Sequence, residues 1–530
     1  MGYYSVMNKD RSKSRAAGRL AAGGSLLAGG IAGGLVLAPN ADAATTYNVT
    51  NLLDSGAGSL RDAVVAANAN AGADTIVFEA GAAGTIILTT GQLEITDDVT
   101  ITGLGAAAST VSGNNASRIF YIYSANASLT VSISGLTLTD GNDTNTFGGG
   151  AIANWGNDLT LSSVVITGNE STVRGGGVFS AYPASGNGRT APVTIIDSEI
   201  SNNTSASDGG GLAFYELGDV TITNTTISAN TASNDGGGIH ILDTGVVTMS
   251  GTVVSGNTST GGTGGVWSDA NLSITTSTFE NNISGGGCGG ALYVGVFYGD
   301  VTITDSTFSG NVGFTYGGAI DFDGGGNTIL IANTTITGNS APAGGGLHID
   351  GGNDVTLAQV TIVGNNATST NALYSGGGIH FAENLGSLTM SGTIVSGNTA
   401  VAGPADIGLG NQRSFVGAMT ANNSLLGDVD SRIDVTGSNN IDSTTPGVDV
   451  LADNGGPTKT MALLTGSPAI DAGPNPVATF TGNGFDQRGT PYVRVYGGQV
   501  DIGAFELQPE PTPTTTTTAG SDPVAPAFTG

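Results

Sequence analysis

The chain has 530 residues, with 14 Lys or Arg against 42 Asp or Glu, so its net charge at pH 7 is −28. Nucleic-acid binding needs a footprint of basic side chains, and this balance argues against it. The single cysteine, Cys288, excludes an intramolecular disulfide, so stability must come from an extensive core.

Residues 1–43 are typical of a secretory signal peptide. Five basic residues lie in the first twenty, a stretch of small and apolar residues follows at 20–38, and Ala-Asp-Ala at 41–43 provides a cleavage site. A membrane anchor is the alternative, but glycines and serines interrupt the apolar stretch. We therefore expect an extracellular or cell-surface protein, with no transmembrane segment in the mature chain.

Residues 44–140 are predicted to form an N-terminal cap and the first coils of a repeat domain. The run Gly-Ser-Leu-Arg-Asp-Ala at 58–63 resembles the cap domain named after a Cys-Ser-Leu-Arg-Glu-Ala run. Gly58 and Asp62 replace the Cys and Glu of that run. The resemblance implies an N-terminal cap in this position.

A phrase of about 28 residues recurs nine times in residues 141–410, and a near-fixed period of this size indicates a solenoid. Each repeat holds a glycine pair, three short runs of alternating apolar and polar residues, and a Gly-Asn at its end. Thr, Val and Ile dominate these runs, as they do in strands. The sequence therefore predicts an all-β fold, a parallel β-helix of about 11 coils.

The Asn near the end of each repeat is predicted to form a buried ladder, in which each side-chain amide bonds those above and below. The predicted members are Asn169, Asn202, Asn230, Asn257, Asn281, Asn311, Asn339, Asn365 and Asn398.

The repeat also resembles a known one. Gly-Gly-Ala-Ile at 149–152 and 317–320, paired with Thr-Phe-Ser-Gly-Asn at 307–311, resembles the polymorphic outer-membrane-protein repeat. The resemblance covers about residues 145–400. It implies a right-handed β-helix of the kind found in bacterial surface proteins.

Four motifs follow the repeats in order. They are Asp-Asn-Gly-Gly-Pro-Thr at 453–458, Gly-Ser-Pro-Ala-Ile-Asp-Ala-Gly at 466–473, Asp-Gln-Arg-Gly at 486–489 and Val-Asp-Ile-Gly-Ala-Phe-Glu at 500–506. This series is similar to a choice-of-anchor C-terminal domain, which implies that residues 411–507 form a small β-rich domain of a surface or exported protein. Residues 508–530 are rich in Pro and Thr and are predicted to be a disordered linker.

One position in each repeat varies in a way that suggests function. The residue after the buried aliphatic of each glycine-pair strand points out of the helix by alternation. This column and the position two residues further on contain all three histidines and both tryptophans of the chain. Outward aromatic rings usually mark recognition, and rings in a row suit sugars that stack on them. We predict that a polysaccharide or cell-envelope component binds at Trp155, Phe179, Tyr215, His240, Trp267 and Tyr293. The alternative is that connecting loops cover these rings and make them ordinary packing.

The later coils present carboxylates and imidazoles in the same columns. Because His348 and His380 lie on successive coils, they could share a divalent cation, Ca²⁺ or Zn²⁺. The predicted ligands are Asp321, Asp323, His348, Asp350 and His380. A solvated patch without metal is the alternative.

Bond cleavage is less favoured than binding. Many secreted right-handed β-helices cleave acidic polysaccharides, and elimination at a uronate needs a basic residue. Arg174 and Arg189 are the only basic residues between 141 and 410. Hydrolysis by a carboxylate pair such as Asp321 and Asp323 stays open, but no catalytic residue is predicted.

Ice binding is a minor alternative, because Thr-x-Thr pairs face outward on the second strand of the repeat. These pairs are Thr221 with Thr223 and Thr302 with Thr304. Ala332, Ala358 and Met390 interrupt this array on neighbouring coils.

The hypothesis that the sequence favours is a monomeric, secreted or cell-surface structural or adhesive protein that binds carbohydrate or a surface polymer. An extracellular polysaccharide lyase or glycoside hydrolase is the main alternative.

Overall fold

The computed structural model describes residues 44–125, 128–143, 147–181, 191–295, 299–382, 386–410 and 418–509. The predicted signal peptide and nearly all of the predicted linker lie outside these residues. No helix in the described ranges is long and apolar enough to cross a membrane.

The chain winds through successive turns, and equivalent strands of these turns stack into four parallel sheets. We number the sheets I to IV in the order in which the chain passes through them in one turn. A representative turn runs through a sheet I strand at Val220–Thr223, a sheet II strand at Thr226–Ser228, a sheet III strand at Thr231–Ala232 and a sheet IV strand at Ile239–Leu242. Each strand pairs with its equivalent one turn later, as Val220 pairs with Val247. This pairing is that of a parallel β-helix.

Sheet I comprises Thr46–Val49, Asp74–Phe78, Val99–Thr102, Thr130–Ser134, Asp158–Ser162, Val193–Ile196, Val220–Thr223, Val247–Ser250, Leu272–Thr275, Asp300–Thr304, Thr328–Ala332, Asp354–Ala358, Ser387–Ser391, Ala418–Asn422 and Val435–Thr436. Sheet II comprises Gly84–Ile87, Ser109–Ser112, Thr137–Thr139, Val165–Thr167, Glu199–Ser201, Thr226–Ser228, Val253–Ser255, Thr278–Glu280, Thr307–Ser309, Thr335–Thr337, Thr361–Val363, Ile394–Val395, Leu425–Leu426 and Ile441–Asp442.

Sheet III has two parts, Asn142–Asp143, Glu170–Ser171, Thr204–Ser205, Thr231–Ala232, Thr258–Ser259 and Ile283–Ser284, and then Ser340–Ala341, Asn366–Ala367 and Thr399–Ala400. Sheet IV comprises Leu93–Ile95, Phe120–Tyr123, Ile152–Trp155, Val178–Ala181, Leu212–Tyr215, Ile239–Leu242, Val266–Ser268, Leu292–Val294, Ile320–Phe322, Leu347–Ile349, Ile379–Phe381 and Ile407–Leu409.

The fold is a right-handed parallel β-helix, and the prediction of its class is confirmed. It has about 13 turns where the sequence predicted about 11. Sheets I and II continue to Thr436 and Asp442, so the stack extends beyond the predicted end of the repeats at residue 410. The additional turns lack the clear glycine and Asn signals of the central repeats.

The core consists of the inward side chains of sheets I, II and IV. Within the representative turn, Val220, Ile222, Ile227, Ile239 and Ile241 are fully buried. They belong to one apolar cluster that runs from Val49 to Ile433. Each turn covers the apolar edge of its neighbour, which is how a solenoid is stabilised without a globular core.

The one α-helix in the described part of the chain, Leu60–Ala69, packs against the first strands of sheets I and IV. Ser59 caps it by accepting a hydrogen bond from the backbone nitrogen of Asp62. Leu60 is fully buried, and Arg61 forms an ion pair with Asp54. The Ser-Leu-Arg run therefore supplies the N-cap of the helix, a buried core residue and an ion pair with Asp54.

The buried Asn ladder is present, but two of its predicted members are wrong. Asn203 and Asn282 occupy the ladder, whereas Asn202 and Asn281 precede them with positive φ. Each ladder amide donates to the next Asn Oδ1 at 2.9–3.0 Å, as between Asn230 and Asn257. The ladder ends at Asn398, whose amide donates to Asp406.

The last segment, residues 443–509, leaves the stack and returns along the flank of earlier turns. Its regular structure within the described residues is one antiparallel pair, Val448–Ala452 with Thr460–Leu463. It contacts the solenoid through buried hydrogen bonds, among them Gln487 to Thr307 and Arg494 to Asn333.

Candidate functional site

A tight glycine turn precedes nearly every sheet IV strand and sets the position of the candidate site. Gly236 has φ of 66°, and a Cβ there would lie 2.2 Å from the carbonyl oxygen of Ile239. Only glycine fits such a turn, which folds the preceding segment back over the start of the strand. Side chains of that segment therefore lie beside the outward face of sheet IV.

The strand register stacks the variable positions of sheet IV directly above one another, as the repeat alignment predicts. Successive pairings join Ala153, Phe179, Ala213, His240, Trp267, Tyr293, Asp321, His348 and His380 in one column. A second column, two residues further on, includes Tyr123, Trp155, Ala181, Tyr215 and Leu242.

The six predicted ligand-binding residues form one continuous row of ring contacts, which is stacked from Tyr215 to Tyr293 and edge-on or tilted before it. The ring centroids are 4.4 Å apart between His240 and Trp267, and 5.7 Å apart between Trp267 and Tyr293. The remaining neighbours are joined over 5.2–5.8 Å, in the order Trp155, Phe179, Tyr215 and His240.

This stacking corrects one part of the prediction. Phe179 is 4% exposed, Tyr215 is 9% and His240 is 5%, while Trp155, Trp267 and Tyr293 are half-buried. Neighbouring rings contact one another, and Phe179, Tyr215 and His240 are too buried to form an open platform for a sugar. The burial of these three rings favours the packed interpretation.

Four other aromatic rings, three in turn segments and one on a sheet IV strand, remain open to solvent. Phe147, Phe314 and Tyr374 lie in the segments that lead into glycine turns, and Tyr123 ends an early sheet IV strand. They are 48%, 58%, 40% and 40% exposed, in that order. Phe147 packs edge-on against Trp155, and Tyr374 lies beside His380. The three rings in turn segments were not predicted, because those segments do not follow strand alternation.

The sequence analysis also missed a carboxylate pair beside His240. Asp208 and Asp235 hold the same position in successive repeats, directly before a glycine turn. One oxygen of each carboxylate and a ring nitrogen of His240 all lie within 4.8 Å of one another. Among the described residues this is the only such group of three potential metal ligands. The available signal was the Asp-Gly-Gly-Gly run at 208–211 and again at 235–238.

Hydrogen bonds and burial shift the ionisation of this group. Burial opposes charge on Asp208, but the His240 ring, hydroxyl donors and Arg174 together lower its pKa. Burial and the neighbouring Asp208 raise the pKa of Asp235 to about 6. Burial lowers the pKa of His240 to about 4. Side chains with shifted pKa values that meet on one face are typical of functional sites.

The structure does not assemble the predicted metal site. Asp321 binds Nδ1 of His348 at 2.5 Å, and the His380 ring stacks on His348 at 5.5 Å instead of converging with it. Asp323 accepts a hydrogen bond from Tyr293. Asp350 accepts from the backbone of Gly351. Within the described ranges these five side chains supply no group of three ligand atoms within 4.8 Å, so the structure does not bring them together around one ion.

The predicted interruption of the Thr array is wrong at one position. Met390 is fully buried and faces the core, so it does not belong to the outward face of sheet I. Ala332 and Ala358 do face outward, where Phe480 of the last segment packs on them. The neighbouring column reads Thr75, Thr100, Ser132, Thr160, Thr194, Thr221, Thr248, Ser273, Thr302, Leu330, Thr356, Thr389, Thr420 and Thr436.

Comparison with known proteins supports the fold. The profile of the right-handed beta-helix region family matches residues 211–403. Among solved structures, the A-module of the mannuronan C-5 epimerase AlgE4 from Azotobacter vinelandii is similar at 14% identity and a TM-score of 0.39. The alignment covers 75% of this chain and 97% of that one. A search of curated proteins found no significant match.

Proposed function

We propose that this protein is a secreted or cell-surface β-helix that binds an extended carbohydrate or cell-envelope polymer along the outer face of sheet IV. The observation that carries the proposal is the set of exposed rings that border the sheet IV columns, Tyr123, Phe147 and Tyr374. Exposed aromatic side chains on one face of a soluble protein usually serve recognition. The stacked rings beneath hold this face rigid, because each ring contacts the next.

The charge of the chain restricts the ligand. With a net charge of −28, the protein repels polyanions at long range, so a neutral polymer is the favoured partner. The leader and the repeats that resemble surface-protein repeats support a location outside the cell. The series of C-terminal motifs supports the same location.

Binding to immobilised neutral polysaccharides and to isolated cell-envelope polymers tests the proposal. We expect Phe147→Ala and Tyr374→Ala each to weaken binding several-fold, because a stacked ring contributes about 0.5–1.5 kcal/mol beyond its buried area. Tyr496→Ala removes a ring of similar exposure from the last segment and is the matched control. Absence of binding across the panel, or equal losses in all three variants, would contradict the proposal.

Polysaccharide cleavage is the second candidate, and one observation favours it. Nδ1 of His348 is held 2.5 Å from Asp321, the arrangement that orients an imidazole for proton transfer. Burial opposes charge on His348, but the Asp321 carboxylate outweighs it and raises the pKa of the ring. Release of reducing or unsaturated sugars by the purified protein, abolished by His348→Gln, would establish cleavage in place of binding alone.

A further inference from the structure

Asp208, Asp235 and His240 come from two consecutive turns of the helix. The two aspartates are equivalent positions, since the nitrogen of Gly209 donates to the carbonyl oxygen of Asp235 across the turns. His240 lies on the sheet IV strand that follows the second aspartate. Their ligand atoms meet within 4.8 Å, on the outward side of that strand.

The surrounding residues hold one side of this group and leave the other side free. Oδ2 of Asp208 accepts hydrogen bonds from Ser207 at 3.0 Å, Tyr215 at 3.1 Å and Arg174 at 3.2 Å. Oδ1 of Asp208 accepts only a long bond of 3.4 Å, from the backbone nitrogen of Asp235. Three donors on Oδ2 fix the carboxylate, and Oδ1 keeps lone pairs for another ligand.

The His240 ring is positioned without any hydrogen bond to its Nδ1. It lies between Tyr215 and Trp267, with interplanar angles of 17° and 3°. The side chain is 5% exposed, and Nδ1 is buried without a hydrogen-bond partner among the described residues. Buried polar atoms are normally paired, so this nitrogen lacks the partner that its burial calls for.

Gly262 makes room for the carboxylate of Asp235. A Cβ at Gly262 would lie 1.7 Å from Oδ1 of Asp235, so any other residue there would displace the carboxylate. Gly262 belongs to the turn that follows Asp235 in the stack. The Asp235 carboxylate therefore occupies a space that only glycine leaves open.

We propose that Asp208, Asp235 and His240 bind a divalent transition-metal ion of the Zn²⁺ type. Two carboxylates and one imidazole are ligands that suit Zn²⁺, whereas Ca²⁺ and Mg²⁺ prefer oxygen ligands alone. Three protein ligands leave a coordination position for water or another ligand. The ion also offsets the repulsion between two close carboxylates, of which Arg174 contacts only one. This site is independent of polymer binding at the exposed rings.

Equilibrium dialysis of the metal-stripped, purified chain against Zn²⁺, with elemental analysis, tests the proposal. We expect one tightly bound Zn²⁺ per chain. Asp235→Asn keeps the shape of the side chain but removes its charge. It should weaken Zn²⁺ binding at least about 10-fold, the lower end of the loss seen when even a residue that only supports a metal ligand is replaced. Gly262→Ala keeps all three ligand residues but displaces the Asp235 carboxylate, so it should also weaken binding. Circular dichroism confirms that each variant is folded.

His380→Ala is the control, since it removes another buried imidazole of the same column. We expect it to bind Zn²⁺ like the wild type. The proposal fails if the wild type binds no stoichiometric ion, or if binding is loose, multiple and unchanged in Asp235→Asn, as for non-specific attraction to an acidic surface. It also fails if His380→Ala loses the ion while Asp235→Asn keeps it.

Discussion

The residue before each ladder Asn adopts a left-handed backbone conformation. Glycine occupies this position in most repeats, as at Gly256 with φ of 61°. Ala229 holds it with φ of 54°, although its Cβ makes this conformation unfavourable. The exception therefore stores strain that a single substitution can release.

We expect Ala229→Gly to stabilise the protein by about 0.5–1 kcal/mol. The left-handed conformation costs an L-residue about 1–2 kcal/mol, and part of the gain is offset by the greater freedom of glycine in the unfolded chain. Gly256→Ala is the reverse control, because a Cβ there meets nothing within 4 Å and only the backbone cost remains. Denaturant unfolding measures both. Changes of the same sign would show that φ is not the cause.

The Asn ladder is the element that joins one turn to the next on the inside of the sheet II corner. Oδ1 of Asn257 accepts from both the backbone and the side-chain nitrogen of Asn230. Its own amide donates to Ile227 and to Asn282. One side chain thus satisfies groups of the turn before it and of the turn after it.

Asn257→Ala should destabilise the protein by about 2–4 kcal/mol, since it leaves two buried donors and one buried carbonyl without partners. Asn234→Ala, an exposed Asn in the preceding turn, should change stability by no more than about 0.5 kcal/mol. The free energy of unfolding, from urea denaturation of each variant, checks the prediction. Equal effects at the two positions would show that the ladder is not stabilising.

The period and alternation of the sequence were sufficient to predict the strands, the column register and most of the ladder. They failed at Asn202 and Asn281, because two adjacent Asn residues leave the phase undecided and the left-handed turn takes the first. Met390 was assigned to the wrong face through a one-residue error in the phase of alternation, since it faces the core as Leu388 does. Alternation also says which side chains leave the core, but not what covers them afterwards. That information lies in the glycine turns, which bring Asp208 and Asp235 to His240.

At the scale of the whole molecule, the last segment braces the solenoid. Thr458 donates to the carbonyl oxygen of Asp305, and the backbone nitrogen of Ala504 donates to Thr361. Gln487 is fully buried and bonds residues of two adjacent turns, Thr307 and Thr335. The remaining motif, at 466–473, also contacts the solenoid, because Ala472 accepts a hydrogen bond from Asn423. All four C-terminal motifs therefore pack against the β-helix of the same chain.

This arrangement predicts that the last segment and the solenoid unfold together. Gln487→Ala leaves the Thr335 hydroxyl and neighbouring carbonyls unpaired at a buried joint, which should cost about 2–4 kcal/mol. It should also expose residues 443–509 to proteolysis at concentrations of protease that leave the wild type intact. Gln499→Ala, an exposed glutamine of the same segment, should alter neither property. If the segment were an independent domain, Gln487→Ala would leave the urea midpoint of the solenoid unchanged. A single transition that shifts as a whole would instead show that the C-terminal motifs are part of the helix they follow.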